Sequence, residues 1–168
     1  EREFWIAVMK AQRNLGIDIP ETAIAAYEKV RDKIDLKSIS HREMKLRHDV
    51  KSRIEEFCEL AGYEHIHKGL TSRDLTDNVE QLQILRSLRL LRIKAVSVLH
   101  HLADWSLRSQ DIMLVGRTHN VPAQPITLGN RLAMFGEEIM FGLVRLDHLI
   151  SNYPLRVFQG TVGTILSL

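Results

Sequence analysis

The sequence has little cysteine, little proline and no long apolar run: one cysteine and four prolines occur among 168 residues. The lone thiol, Cys58, excludes an internal disulfide framework and is typical of a protein in the reducing cytoplasm. No apolar stretch approaches the ~20 residues of a membrane-spanning helix, and no signal-peptide pattern is present. The net charge of +2 argues against a dedicated nucleic-acid-binding module. We therefore expect a cytoplasmic protein whose partners include neither nucleic acid nor membrane.

Helix-forming residues dominate the sequence, and apolar residues repeat at helical spacing through most of the chain. Six helices are predicted, bounded mainly by proline, glycine and capping residues, over residues 3–15, 21–32, 36–45, 50–61, 71–109 and 128–152. Loops are predicted between and after them, over residues 63–70, 121–127 and 158–163. Because strand-like alternation is almost absent, the predicted fold class is all-α.

The longest predicted helix begins at Thr71 and contains no proline or glycine as far as Ser109. At 1.5 Å per residue it would span ~58 Å. One small domain cannot bury a helix of that length, so we expect a bundle of long helices to which other chains contribute. Residues 1–70 are predicted to form a small N-terminal helical domain, and residues 71–168 the first part of the long-helix bundle.

The first polar motif is Arg47-His48-Asp49-Val50, at a predicted helix start. Asp49 suits the N-cap position, with two basic residues before it, and this accounts for the motif structurally. The exposed start of a helix beside Arg47 and His48 also suits an anion. The residues alone leave both interpretations open.

The second motif runs from His67 to Asp74 and starts the longest helix. Thr71 and Asp74 have the spacing of a capping box, which by itself explains both residues. Gly69 permits close approach of a ligand to the backbone, and the hydroxyls of Thr71 and Ser72 lie beside free backbone N–H groups. A structural cap and a carboxylate or phosphate site remain alternatives here.

The third motif runs from Gly116 to Pro125 and reads as a rigid loop that exposes Thr118, His119 and Gln124. A histidine on such a loop suits a general acid or base, because its pKa lies near neutrality. A lone loop histidine is, however, more often simply solvated. The spacing of the titratable residues predicts no metal site, P-loop, dinucleotide fingerprint or nucleophile elbow.

In this order and spacing, the three motifs resemble those of adenylosuccinate lyases, a family of the fumarase/aspartase superfamily. Residues 71–74 and 118–124 resemble blocks typical of the superfamily, and residues 47–50 resemble a block of adenylosuccinate lyases in particular. Argininosuccinate lyases would be expected to carry Ser-Arg-Asn-Asp at residues 71–74, which this chain lacks. The resemblance covers essentially the whole chain.

The resemblance implies β-elimination of fumarate from adenylosuccinate, giving AMP, and from SAICAR, giving AICAR, in purine nucleotide biosynthesis. It implies that His119 protonates the leaving nitrogen and that His48 is a second catalytic histidine. The remaining positions it implies are contacts to substrate: Arg47, Asp49, His67, Thr71, Ser72, Thr118 and Gln124. No metal or organic cofactor is implied. The implied partners are the purine nucleotide, fumarate and further copies of the chain in a homotetramer.

Two parts of the family pattern have no counterpart in these residues: a serine–lysine loop that supplies the catalytic base, and an N-terminal Arg-Tyr pair. Since the sequence starts at Glu1 and ends at Leu168 after an apolar run, we expect both ends to lie within a longer protein. We also expect this chain alone to be inactive. Two alternatives stay open: a sister carbon–nitrogen lyase for another succinylated amine, and a non-catalytic helical oligomerisation module.

Overall fold

The computed structural model describes residues 1–160 and 162–163, and in that part of the chain the fold consists of helices and one small sheet. The elements in chain order are α1 (Arg2–Asn14), α2 (Glu21–Val30), α3 (Leu36–Leu46), α4 (Asp49–Ala61), α5 (Ser72–Arg108), β1 (Met113–Thr118), β2 (Val121–Thr127) and α6 (Leu128–Ser151). The predicted all-α class is thereby confirmed, with the two-stranded sheet as an addition. None of the described helices combines the length and apolarity that crossing a membrane requires.

The chain divides into two compact units. The first comprises Glu1–Gln81 together with the described residues from Leu155 onward, and the second comprises Leu82–Pro154. The predicted division into residues 1–70 and 71–168 stays a prediction.

Aromatic side chains dominate the core of the first unit, which α1, α2, α4 and the start of α5 enclose. The largest fully buried apolar side chains are Trp5, Tyr27, Phe57, Met9 and Leu75. The rings of Tyr27 and Phe57 meet edge to face, with centroids 4.8 Å apart. Burying one large apolar side chain stabilises a fold by roughly 1.5–3 kcal/mol, so this cluster accounts for why the short helices hold together.

A buried ion pair joins three of these helices. The guanidinium of Arg2 contacts the carboxylate of Glu56, whose side chain is 2% exposed. The same guanidinium donates to backbone carbonyls after the end of α2 and in its last turn: Val30, Arg31 and Lys33. The other oxygen of Glu56 accepts the backbone N–H of Asp35 at 2.9 Å. Arg2 therefore links α1 to α4 and supplies a cation at the negative end of α2.

The start of α4 differs from the sequence prediction, because His48 is the N-cap residue and Asp49 is not. The backbone of His48 is extended, and its Nδ1 accepts the backbone N–H of Lys51 at 3.3 Å. Asp49 is the first helical residue. The physical reason lies one residue earlier: Arg47 ends α3 in the left-handed conformation, with φ of 52°, which leaves His48 at the extended boundary position.

The start of α5 is anchored by a buried carboxylate. The backbone N–H of Thr71 donates to Asp74 at 3.0 Å, which confirms the acidic half of the predicted capping box. The backbone N–H of Asp74 donates in turn to the carbonyl oxygen of Thr71. Asp74 is 3% exposed and also accepts the backbone N–H groups of Gln159 at 2.8 Å and Gly160 at 3.1 Å. This one acid thus ties residues 159–160 to the first turn of α5.

In the second unit, α5 and α6 approach closely at a glycine. A Cβ on Gly129 would lie 2.4 Å from the carbonyl oxygen of Ser106, so no larger residue fits without displacing the backbone. The hydroxyl of Ser106 donates to the carbonyl of Gly129 at 2.7 Å, and the N–H of Gly129 donates to the carbonyl of Ser109. Further along, Arg92 pairs with Asp147 at 2.6 Å.

The prediction of a loop over residues 121–127 is wrong, because these residues form one strand of an antiparallel hairpin. Met113 of β1 lies opposite Thr127 of β2, and Thr118 lies opposite Val121. Proline lacks the N–H that a residue in a central strand must donate. The two prolines of β2, Pro122 and Pro125, therefore led to the prediction of a loop. Both strands of a two-stranded sheet are edges, where proline is tolerated.

Candidate active site

Six of the predicted site residues belong to the first unit and lie at the starts of α4 and α5 or just before them: Arg47, His48, Asp49, His67, Thr71 and Ser72. The α3–α4 junction supplies the first three, and the connector before α5 supplies the others. Electrostatics ties the two groups together, since the charges of His48 and Lys51 act on the pKa of His67. His48 and His67 thus lie near enough for their charges to interact.

His67 is the most constrained of these residues. Its backbone is left-handed, with φ of 63°, a conformation that is uncommon for residues other than glycine. The indole N–H of Trp5 donates to its Nδ1 at 3.1 Å, and the two rings meet edge to face. Burial lowers the pKa of His67 below its ordinary value of about 6.5. The negative charge of Asp74 opposes this, whereas the electrostatic interactions with His48 and Lys51 lower the pKa further, so His67 is neutral near pH 7.

His48 has one ring nitrogen engaged and one to offer. Because its Nδ1 accepts the N–H of Lys51 as the cap of α4, its Nε2 is the nitrogen left for a ligand. The side chain is half-exposed, so a small molecule can reach it.

Asp49 is held as a carboxylate. Burial alone would raise its pKa, but the N–H of Val50 and the guanidinium of Arg53 hold that pKa below its usual range. Arg53 lies 2.6 Å from its Oδ2. An ionised acid repels a phosphate, so Asp49 suits a contact to a hydroxyl or amino group of a ligand. The exposed Arg47 suits the phosphate itself.

The start of α5 supplies polar groups of another kind. Thr71 and Ser72 are half-buried at its first turn, where backbone N–H groups and the helix dipole favour negative charge. The buried carboxylate of Asp74 is already occupied by three backbone N–H groups. Asp74 therefore holds the backbone at the start of α5 in place rather than binding a ligand.

The other three predicted residues, Thr118, His119 and Gln124, lie on the hairpin of the second unit. His119 and Asn120 form its two-residue turn, with φ of 46° and 64°. Two consecutive left-handed residues are the pattern of a type I′ turn, which favours asparagine and glycine. Histidine at the first turn position costs free energy, and such outliers cluster at functional sites. The turn displays His119 at an exposed tip, and its convergence with His48 and His67 stays a prediction.

The hairpin also explains two neighbouring residues of the third motif. The guanidinium of Arg117 donates to the carbonyl of Asn120 at 3.0 Å and so braces the turn. The register of the strands shifts between Val115 and Arg117, which places Gly116 in a bulge. Thr118 ends β1 directly before the turn, while Gln124 is exposed on β2.

Sequence reasoning missed Trp5. On the apolar stripe of α1, a tryptophan is ordinarily a core residue, and no local pattern indicates its contact with a histidine 62 residues away. The one general indication was that the N–H of a buried indole needs a hydrogen-bond acceptor, without any indication of which residue supplies it. In the described part of the chain, no group of three or more His, Cys, Asp or Glu side chains is placed to hold a metal ion.

The sequence matches the model of a protein family described as Lyase over residues 1–168. It is 30% identical over 167 residues to an adenylosuccinate lyase of Schistosoma mansoni, covering 98% of this chain and 34% of that protein. It is 32% identical over 169 residues to an adenylosuccinate lyase of Schizosaccharomyces pombe, covering 97% of this chain and 35% of that protein. The chain thus spans about a third of the length of these curated relatives.

Solved structures share the fold. A fumarate lyase from Mesorhizobium sp. BNC1 superposes with a TM-score of 0.86 at 27% identity, covering 99% of this chain and 40% of that one. A 3-carboxy-cis,cis-muconate lactonizing enzyme from Pseudomonas putida also reaches a TM-score of 0.86 over 99% of this chain and 39% of its own. At 24% identity, the second similarity is one of fold alone.

Proposed function

This chain belongs to the Lyase family, and we propose that the protein containing it is a carbon–nitrogen lyase that eliminates fumarate from succinylated purine nucleotides. The proposed substrates are adenylosuccinate, which gives AMP, and SAICAR, which gives AICAR, in purine nucleotide biosynthesis. The observation that carries the proposal is the placement of two histidines at helix starts: His48 caps α4, and His67, held by Trp5, precedes α5 near enough for its charge to interact with that of His48. His48 and His67 lie in two motifs that resemble those of adenylosuccinate lyases, and this supports succinylated purine nucleotides as the substrate class.

The chemistry of β-elimination accounts for the residue types in the first unit. Removing a proton from the carbon beside a carboxylate builds up an enolate with two negative charges, so N–H donors and cations must face it. The starts of α4 and α5 supply backbone N–H groups and favourable dipoles. The imidazole of His67 and the guanidinium of Arg47 add side-chain donors.

The leaving nitrogen needs a proton, because an amine or amide anion departs poorly. His119 fits that role, since the turn between β1 and β2 exposes its imidazole, and histidine is the side chain most often used as a general acid. His48, with its Nε2 unengaged by the helix cap, suits holding or restoring that proton. The proton-abstracting base is proposed to lie on the serine–lysine loop, which these 168 residues do not contain. This chain alone is therefore proposed to be inactive.

Self-association is part of the proposal. Large apolar side chains are more than half exposed on α5 and α6 of the single chain: Leu90, Leu91, Ile93, Trp105, Met134, Phe135 and Phe141. Exposed apolar area of this extent is typical of a surface that is covered in an assembly. We propose that copies of the protein pack these helices together as a homotetramer in the cytoplasm and that neighbouring copies complete each site.

The test is an assay of the complete protein with adenylosuccinate, in which fumarate and AMP are separated and quantified. Succinyladenosine, which lacks the 5′-phosphate, and argininosuccinate serve as comparison substrates. The proposal expects rapid release of fumarate from adenylosuccinate and far slower release from the other two. Equal or faster turnover of a substrate without the phosphate would favour a sister lyase, and no release from any substrate would favour a non-catalytic module.

A further inference from the structure

We propose that Trp5 is a positioning residue that fixes the tautomer of His67, so that His67 binds an anionic oxygen of the substrate as a neutral donor and does not carry protons. The inference rests on the proposed function, because it assigns His67 its task within that site. It concerns a contact between α1 and the connector before α5.

The donor and acceptor groups of the two rings fix the direction of the hydrogen bond between them. An indole N–H is a donor and has no acceptor, so Nδ1 of His67, 3.1 Å away, must accept the bond. An accepting Nδ1 carries no proton. A neutral imidazole has one N–H, which therefore lies on Nε2, at the other side of the ring. Protonating Nδ1 would set one N–H against another and break the contact.

Burial makes this contact hard to replace. Trp5 is 1% exposed, and its ring packs against Phe57 with centroids 6.1 Å apart. A buried indole N–H without a partner costs roughly 1–3 kcal/mol, so the fold itself holds the acceptor in place. The Nε2–H tautomer is thus a property of the folded core and does not depend on a ligand.

The connector that carries His67 is held on α1 at a second point. The side-chain amide of Gln12 donates to the carbonyl of Lys68 at 3.0 Å. Trp5 and Gln12 are seven residues apart, so they lie on the same face of α1. Two adjacent residues of the connector are therefore fixed by two turns of one helix, which keeps the left-handed backbone of His67 in a single conformation.

Of the titratable groups around His67, His48 and Lys51 also favour its neutral form, which acts as a hydrogen-bond donor and not as a proton carrier. Lys51 presents positive charge to it and Asp74 presents negative charge, and a proton taken up by His48 would add positive charge. An imidazolium at His67 would be repelled by Lys51, whereas a neutral Nε2–H donor is not. A fixed donor can bind a carboxylate or phosphate oxygen throughout the reaction, and proton transfer is left to His48 and His119.

The decisive experiment compares the complete wild-type protein with its Trp5→Phe variant, which keeps the aromatic ring and removes the N–H. Nitrogen-15 solid-state NMR of histidine-labelled protein, with the His67 signals assigned through His67→Asn, reports the tautomer directly. We expect the wild type to show only the Nε2–H form of His67 at pH 7. We expect Trp5→Phe to show a mixture of both neutral forms.

Kinetics with adenylosuccinate supply the functional readout. Trp5→Phe should raise KM by up to roughly 10-fold, the equivalent of one lost hydrogen bond, with a smaller effect on kcat. It should also make KM more dependent on pH as the pH falls from 7, because protonation of Nδ1 no longer breaks a contact with Trp5. In a His67→Ala background the same substitution should change KM no further. Tyr63→Phe, which removes the hydroxyl that donates to Thr22 in an exposed contact outside the three motifs, is the control and should leave KM unchanged.

Two results would overturn the inference. One is an Nδ1–H or doubly protonated His67 in the wild type at pH 7, which needs no variant and so holds even if Trp5→Phe fails to fold. The other is a folded Trp5→Phe protein with unchanged tautomer and KM. Failure of the proposed function is separate: it would appear as no cleavage of adenylosuccinate by a wild type that still shows the single Nε2–H form.

Discussion

The α-carbon of Gly116 lies so close to the backbone carbonyl of Gln124 that a Cβ on Gly116 would come within 2.8 Å of that oxygen. The two residues face each other across the hairpin, at the bulge where the register shifts. Three residues after Gly116, the chain reaches His119 at the turn. The position of the proposed general acid therefore depends on a contact that only glycine permits.

Gly116→Ala is expected to lower kcat of the complete protein. The added methyl group must displace the carbonyl of Gln124 or the bulge, and a displacement of about 1 Å at a catalytic group costs up to roughly 10²-fold in rate. The assay is turnover of adenylosuccinate, with KM expected to change less. Gly142→Ala is the control, because a Cβ there meets nothing within 4 Å and alanine favours the helix. Equal kcat for both variants would refute the claim.

Removing the guanidinium of Arg2 should strongly destabilise the protein. Arg2→Met leaves the carboxylate of Glu56 buried without its cation, and breaking a buried pair in this way costs about 3–5 kcal/mol. Arg13→Met breaks a pair whose acid, Glu21, is 80% exposed, and should cost at most ~1 kcal/mol. Urea unfolding of the two variants measures the difference. A similar midpoint for both would show that the buried pair does not organise α1, α2 and α4.

Acidification should remove a stabilising contribution of His67. Its pKa in the folded protein lies below the unfolded value of about 6.5, so the unfolded chain binds the extra proton first. The contribution is fully present above pH 6.5 and is lost as the pH falls from there towards the folded pKa. His67→Asn does not titrate in this range and tolerates a positive φ. The unfolding free energy of the wild type should therefore fall more between pH 7.5 and pH 5.5 than that of His67→Asn, and equal slopes would contradict the assignment.

His119→Ala in the complete protein should bind adenylosuccinate and lose most turnover. Loss of one general acid typically costs ~10²–10⁴-fold in rate, while binding depends on other groups. The measurements are kcat and, by equilibrium dialysis, the affinity for substrate. His41→Ala, at an exposed histidine of α3 outside the three motifs, should behave like the wild type. Near-normal turnover of His119→Ala would remove that residue from the acid role.

The helices were predictable because their signals are local. In α1, α2 and α4, apolar residues at helical spacing face one core, Pro20 precedes α2, and Gly62 ends α4 in the left-handed conformation. The long helix from residue 71 was predicted within a residue of its ends, since nothing in its sequence interrupts it. Where one pattern alone decides the local structure, the sequence is sufficient.

The sequence-based predictions were wrong or incomplete where the local structure depends on contacts with residues distant in the sequence. The prolines of β2 are tolerated because the hairpin has two strands and no more, which the local sequence does not reveal. His48 replaces Asp49 as the cap because Arg47 turns left-handed at the end of α3. The contact of Trp5 with His67 joins residues 62 apart and depends on the packing of the core. Motifs identified the candidate residues, but only the fold gives their tautomers and partners.

The most direct test of the whole account is a crystal structure of the complete, assembled protein with AMP and fumarate bound. The account predicts that His48, His67 and His119 meet around one ligand, each with a ring nitrogen at hydrogen-bonding distance, about 2.7–3.2 Å, from the ligand or from a water that touches it. It further predicts that at least one of the three comes from a different copy of the protein. Three imidazoles dispersed over unrelated parts of the assembly, with the nucleotide bound elsewhere, would contradict it.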